Sequence, residues 1–139
     1  MKSLPPFHLA IPVHNLKEAK HFYGELLNCS EGRSSERWID YNFFGHQLVV
    51  HLDSSNMKKS FNLVDVESVP IPHFGLVLDW NDWELMREKL ENLKIEFVIK
   101  PYIRFKGQIG EQATMFFLDP SGNALEFKAF KNNNQLFTH

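Results

Sequence analysis

The run MFFLDPSGNALEFKAF, Met115 to Phe130, sets two apolar stretches around Asp119-Pro120-Ser121-Gly122-Asn123. That central cluster supplies most of the residue types that tight turns favour, so the segment reads as a β-hairpin. In its second arm Ala124, Glu126, Lys128 and Phe130 point one way and Leu125, Phe127 and Ala129 the other. Leu125 and Phe127 mark the core face. Glu126 is then a carboxylate on the opposite face, in mid-strand, and is either solvated or held for chemistry.

Working outward, the hairpin closes a pattern that the chain has already used once. Phe7 to Val13 reads as a strand, with Pro12 marking a strand end or an edge. Asn15 is a plausible cap for a helix over Leu16 to Leu27, whose stripe is Leu16, Ala19, Phe22, Tyr23, Leu26 and Leu27. A strand around Gly32, another over Trp38 to Phe44, a turn at Gly45-His46 and a strand over Gln47 to Asp53 follow. The stretch from Asp53 to Pro72 has little periodicity and reads as a linker. Strand His73 to Asp79 then leads into a helix over Asp82 to Lys94, capped by Asn81 or Asp82, with Trp83, Met86, Leu90 and Leu93 as its stripe. Phe97 to Ile99 and Tyr102 to Gly107 precede the hairpin.

The order is strand, helix, three strands, given twice, which is an internal repeat. It predicts an α+β domain with curved sheets and outer helices. The whole of residues 1–139 forms one domain, with a first module at about 5–53, a linker at about 54–70 and a second module at about 71–131. His8 and His73 are equivalent in the two copies, as are Ala10 and Gly75, and Gly45 and Gly122. Aligning the turn glycines sets Val49 opposite Glu126, with His51 two residues further along the same face. His8, His73 and Glu126 are thus three polar residues on apolar strands, each facing away from the helix side. Two imidazoles and a carboxylate suit a non-haem Fe(II) site, and also Mn, Ni or Zn. Ala10 and Gly75 would leave the floor of the site uncrowded.

Composition bounds the rest. The chain has 139 residues, 43% hydrophobic and 23% charged, enough for one domain with a real core. Thirteen Phe and three Trp point to an aromatic-rich core or pocket. A net charge of −2 without a basic run argues against nucleic acid as a partner. One cysteine, Cys29, forms no internal disulfide and fits a reducing compartment. No signal peptide or membrane span is readable at the N-terminus. The expectation is a cytoplasmic, soluble protein.

FHLAIPV with its helix, IPHFGLVLDW and FFLDPSGNALEFKAF together resemble the vicinal oxygen chelate superfamily, which joins glyoxalase I, bleomycin and fosfomycin resistance proteins and extradiol dioxygenases. The resemblance covers Phe7 to Phe130. It implies two βαβββ modules forming a cup, with His8, His73 and Glu126 as metal ligands. It also implies a small-molecule substrate with vicinal oxygens, and a homodimer, whose modules pair within a chain or between chains. Glyoxalase I-like lyases carry a fourth ligand where Val49 stands, so three ligands and Fe(II) favour a dioxygenase-like oxidoreductase. In that group His46 would act as acid/base, although it also reads as a turn residue. Phe116 stands where a catalytic tyrosine is expected, and Tyr102 could supply that phenol. His51 is open between ligand, partner to a ligand and lining residue. Arg104 and Lys106 either clamp an anionic substrate or form an exposed pair. Of the neighbours Phe116 and Phe117, one lines the core and the other the cup, and Phe117 is assigned to substrate. The rival function is sequestration of a drug or metabolite in an aromatic cup, without turnover.

Overall fold

The computed structural model describes residues 4–53, 60–64 and 67–138. They form two compact units, one made of Met1–Lys58 with Asp119–Asn123 and the other of Lys59–Leu118 with Ala124–His139. No helix among the described residues is long and apolar enough to cross a membrane.

In the first unit, β1 (His8–Val13) leads into an α-helix, Leu16–Ala19, that continues as a π-helix, Lys20–Leu26, together α1. Asn15 caps it as expected, its side chain accepting from the Glu18 N–H at 3.0 Å. Ala19, Phe22, Tyr23 and Leu27 are the buried stripe. The widening to π geometry shows in the Leu27 N–H, which reaches back five residues to the Phe22 carbonyl. Nothing in the residue pattern announces it. Strands β2 (Ser30–Ser34), β3 (Trp38–Phe43) and β4 (His46–Leu52) complete a four-stranded sheet ordered β1-β4-β3-β2. The turn before β4 is Phe44-Gly45, with His46 already opening the strand.

The second unit repeats the plan. β7 (His73–Leu78), α2 (Trp80–Asn92), β8 (Phe97–Arg104), β9 (Gln112–Leu118) and β10 (Ala124–Phe130) give a sheet ordered β7-β10-β9-β8. In both sheets the opening strand lies parallel to the closing one. The registers match residue for residue. Ala10 pairs with Val49 as Gly75 pairs with Glu126, which is the equivalence read from the turn glycines.

Three details differ from the sequence reading. Helix α2 begins two residues early, at Trp80 with Asp79 as N-cap rather than Asn81 or Asp82. Asp79 makes no side-chain cap bond, and its Oδ1 accepts instead from Asn133 Nδ2 at 2.7 Å. The helix also ends at Asn92, so Leu93 is its C-cap and is exposed, and Trp83 and Leu90 are the buried residues. Next, β8 runs unbroken through Pro101, where a break was expected. It is the edge strand and its register shifts between Ile99 and Tyr102, the setting in which a strand tolerates proline. Finally, the segment read as a linker carries two antiparallel paired strands, β5 (Ser60–Val64) and β6 (Glu67–Ile71). Residues 54–59 and 65–66 of that segment lie outside the described ones.

Each sheet buries one face against its helix side. In the second unit that core is Met115, Phe117, Leu125 and Phe127, all fully buried. Trp83 of α2 donates its Nε1–H to the Phe127 carbonyl at 2.8 Å, fixing the helix on β10.

Candidate metal centre

His73 opens β7 and Glu126 sits in the middle of β10, on one face and two register positions apart. The strands come so close here that a Cβ on Gly75 would overlap the carbonyl of Glu126. Glycine at 75 is therefore a demand of strand pairing rather than of an open pocket floor. With the strands so close, His73 Nε2 stands 3.1 Å from Glu126 Oε2.

Both groups are held from behind. His73 Nδ1 lies 2.7 Å from the Pro70 carbonyl, which can only accept, so Nδ1 carries the proton. Nε2 is thereby the nitrogen turned to the carboxylate. Glu126 is 7% exposed, and its Oε1 accepts from the Thr114 hydroxyl at 2.7 Å. Lys128 Nζ lies 3.7 Å from Oε2. The ring of Phe116 meets the His73 ring edge to face at 5.1 Å.

The electrostatics follow from these contacts. Hydrogen bonding to Glu126 raises the His73 pKa, overcoming the opposing effect of burial. Burial pushes the Glu126 carboxyl up, but the His73 hydrogen bond, the Lys128 charge and the Thr114 hydroxyl outweigh it and the net shift is downward. A neutral Nε2 and an ionised Oε2 face each other with lone pairs, and that contact calls for a positive charge. A proton on His73 meets the requirement, and so would a divalent ion. The donor set fits such an ion, since one imidazole nitrogen and one carboxylate oxygen are oriented by outer partners in the way metal ligands are. Within the second unit no third His, Cys, Asp or Glu among the described residues joins them.

The first unit places the other candidates. His8 opens β1 with Nδ1 2.8 Å from Gln47 Oε1, and Gln47 Nε2 in turn donates to Asp40 Oδ2 at 3.3 Å. Val49 is buried at the position equivalent to Glu126 and offers no ligand atom. His51 is exposed, paired in register with Trp38 and Pro12. His46 accepts the Phe7 N–H on Nδ1 at 3.0 Å, so the lone pair of its neutral ring is already engaged. That leaves it poorly suited to the acid/base role the resemblance implied. Asp40, Asn42, His46 and Gln47 line an open groove of about 340 Å³.

Of the remaining candidates, Tyr102 packs against the cluster of Val69, Ile99 and Phe116, on the face that carries His73. The Arg104 guanidinium lies over the Phe105 ring at 5.1 Å, and Lys106 is exposed in the following loop. Phe117 is fully buried, its ring against Phe97 and Phe127, so it is a core residue. Phe116 takes the other face. Sequence reading missed Thr114, Gln47, Asp40 and the Pro70 carbonyl. Thr114 was within reach, because the hairpin register pairs Phe116 with Glu126 and places Thr114 beside it. A backbone carbonyl leaves no such trace.

The sequence matches the family model of the Glyoxalase/Bleomycin resistance protein/Dioxygenase superfamily over residues 6–127. No curated protein matches it. Among solved structures, it is similar to a glyoxalase/bleomycin resistance protein/dioxygenase from Alicyclobacillus acidocaldarius, at 32% identity and TM-score 0.82, covering 99% of this chain and 100% of that one. The fosfomycin resistance protein FosX of Listeria monocytogenes shares the fold at 16% identity and TM-score 0.67, over 98% and 99% of the two chains. A glyoxalase/dioxygenase from Nostoc punctiforme does so at 15% and 0.63, over 90% of each. The duplicated strand register, the paired His73 and Glu126 and the family match agree, and the chain belongs to the glyoxalase/bleomycin resistance protein/dioxygenase superfamily.

Proposed function

We propose that this protein is a divalent-metal-dependent enzyme acting on a small substrate with two adjacent oxygens. The observation that carries the reading is the His73 Nε2 to Glu126 Oε2 approach of 3.1 Å, with the far atom of each group tied back, to the Pro70 carbonyl and the Thr114 hydroxyl. His8, the repeat equivalent of His73, is the third protein ligand in this reading, supplied by the same chain or by a second copy in a homodimer. A divalent ion held there would chelate both substrate oxygens and lower the pKa of a bound hydroxyl.

The reaction we favour is ring cleavage by O₂ with Fe(II), because the buried Val49 removes a fourth protein ligand and leaves room for substrate and O₂. The chain's own contributions can be assigned. His73 and Glu126 are fixed in orientation before anything binds. Phe116 brings no phenol, so Tyr102, packed against it, is the group we assign to proton transfer. Lys128 and Arg104 supply positive charge for an anionic oxygen.

Elemental analysis after supply of Fe, Mn, Ni and Zn tests the metal, with His8→Ala and Glu126→Ala as controls. Wild-type protein that takes up none of the four ends the enzyme reading. Oxygen consumption across a catechol panel tests the chemistry, and an Fe(II) protein that consumes no O₂ ends the dioxygenase version alone. Co-expression of the two variants tests the shared site, since metal recovered in the mixture requires ligands from two copies. One observation favours a second reading, sequestration without turnover. Lys128 already sets a positive charge 3.7 Å from the carboxylate oxygen that a metal would use. Tight binding of an anionic aromatic ligand by metal-stripped protein would select that reading.

A further inference from the structure

The first unit holds a run of three polar side chains whose hydrogen-bonding capacities fix a proton. Asp40 on β3, Gln47 on β4 and His8 on β1 share one face, with His8 directly across from Gln47 and Asp40 one diagonal away. The Asp40 carboxylate only accepts. Gln47 stands 3.3 Å from it through Nε2, so that edge of the amide is the NH₂. The other edge, Oε1, is therefore an acceptor, and it faces His8 Nδ1 at 2.8 Å. An acceptor opposite Nδ1 requires a proton on Nδ1, and the neutral ring then carries its lone pair on Nε2.

We propose that Asp40 and Gln47 are positioning residues that hold His8 in the Nδ1–H tautomer and so present its Nε2 lone pair to a metal ion. Free imidazole side chains favour the opposite tautomer, so without the relay the presented nitrogen would carry a proton. The repeat supports the assignment. His73 reaches the same tautomer through the Pro70 carbonyl, which does with a backbone atom what Gln47 does with a side chain. His46, whose Nδ1 accepts the Phe7 N–H, is fixed the other way and serves as an internal contrast. The purpose assigned here rests on His8 being a ligand, as in the function proposed above; the tautomer itself does not.

Long-range ¹H–¹⁵N spectra of the metal-free full chain, well above the usual imidazole titration range, read each ring directly. His8 and His73 are expected as Nδ1–H and His46 as Nε2–H. Asp40→Ala frees Gln47 to rotate, and Gln47→Leu removes the acceptor. Each should shift His8 toward Nε2–H while His73 and His46 hold, which also reports that the fold is intact. The double variant Asp40→Ala/Gln47→Glu should restore Nδ1–H, because a carboxylate at 47 can only accept. Calorimetric Zn²⁺ titration should show affinity falling about tenfold or more in Asp40→Ala, the usual range for outer partners of a ligand, and recovering in the double variant. Wild-type His8 found as Nε2–H, or a double variant that fails to restore it, overturns the relay. Tautomers that follow while Zn²⁺ affinity stays constant overturn its positioning role. Wild-type protein that binds no Zn²⁺, with the tautomers as stated, removes instead the ligand reading and the purpose with it.

Discussion

Glu126 is approached by His73, Thr114 and Lys128, and those contacts make its ionisation and that of His73 interdependent. The folded pKa of His73 is raised, so its stabilisation is complete below the ordinary value of 6.5 and is lost as pH rises through the folded value. The folded pKa of Glu126 is lowered, so its contribution is present above 4.5 and is lost as pH falls through the folded value. In metal-free protein the pair thus stabilises most between those two values. Glu126→Gln should cost most stability in that window and least well above neutrality, and it should move the His73 titration measured by NMR downward. An unmoved His73 titration would show that the contact is absent in solution. Two tyrosines make a second comparison at this scale. Tyr23, fully buried, donates to Asp119 Oδ2 at 2.8 Å, and its pKa is raised by burial and then by that carboxylate. Tyr41 is equally buried, but its hydroxyl has no hydrogen-bond partner among the described residues; burial, then Glu31 and Cys29, push its pKa up to about 12. Tyr23→Phe is expected to cost about 2 kcal/mol, the worth of a bond to a charged acceptor, whereas Tyr41→Phe should be neutral or stabilising. Denaturant unfolding of both variants decides, and equal losses would refute the distinction.

At the scale of the strand and helix, glycine positions separate packing demand from conformational habit. Gly75→Ala puts a methyl group into the Glu126 backbone, and neither strand can yield without breaking its ladder. A loss of about 3 kcal/mol or more is expected, at the upper end for overpacking. Gly24→Ala in α1 meets only ordinary contacts, the nearest at 3.8 Å, and should gain up to about 1 kcal/mol from helix propensity. Thermal unfolding of the two variants checks both signs. Gly75 also marks how far the elements were legible in the sequence. Its smallness beside a histidine was visible, but the cause was not, because only the register with β10 brings Glu126 against it. Alternation and turn residues made β1, β4, β7, β9 and β10 readable, and the repeat fixed which of their residues correspond. The cap of α2 was not readable, since Asp79, Asn81 and Asp82 are all competent capping types and Asp79, which takes the position, makes no side-chain cap bond that would single it out. Phe117 and Phe116 could not be assigned to faces until the pairing with Leu125 and Glu126 was known.

For the molecule as a whole, the first unit is discontinuous in sequence, because Asp119–Asn123 belongs to it. Asp119 Oδ1 accepts from the Ser121 and Asn123 N–H groups, and its Oδ2 from Tyr23 and Asn123 Nδ2. Asn123 Nδ2 also donates to the Pro12 carbonyl, and Ser121 Oγ accepts from the His14 N–H. A fragment of residues 1–58 lacks every one of these partners. It is expected to stay unfolded by circular dichroism and to show no dispersed amide spectrum, although it contains a complete strand-helix-three-strand module. A cooperatively folded fragment would refute this. The site is legible in the same uneven way. The two histidines, the carboxylate and the repeat equivalence of His8 and His73 lie in the sequence, whereas the atoms their rings contact, the Pro70 carbonyl and the Gln47 amide, emerge only from the fold.

The far-placed turn also sets an order of events on the ribosome. Tyr23 leaves the exit tunnel 96 residues ahead of the Asp119 that accepts its hydroxyl proton. The opening module can therefore complete its buried hydrogen bonds only once the turn of the second copy's closing hairpin has emerged, so the two copies are coupled in time as well as in sequence.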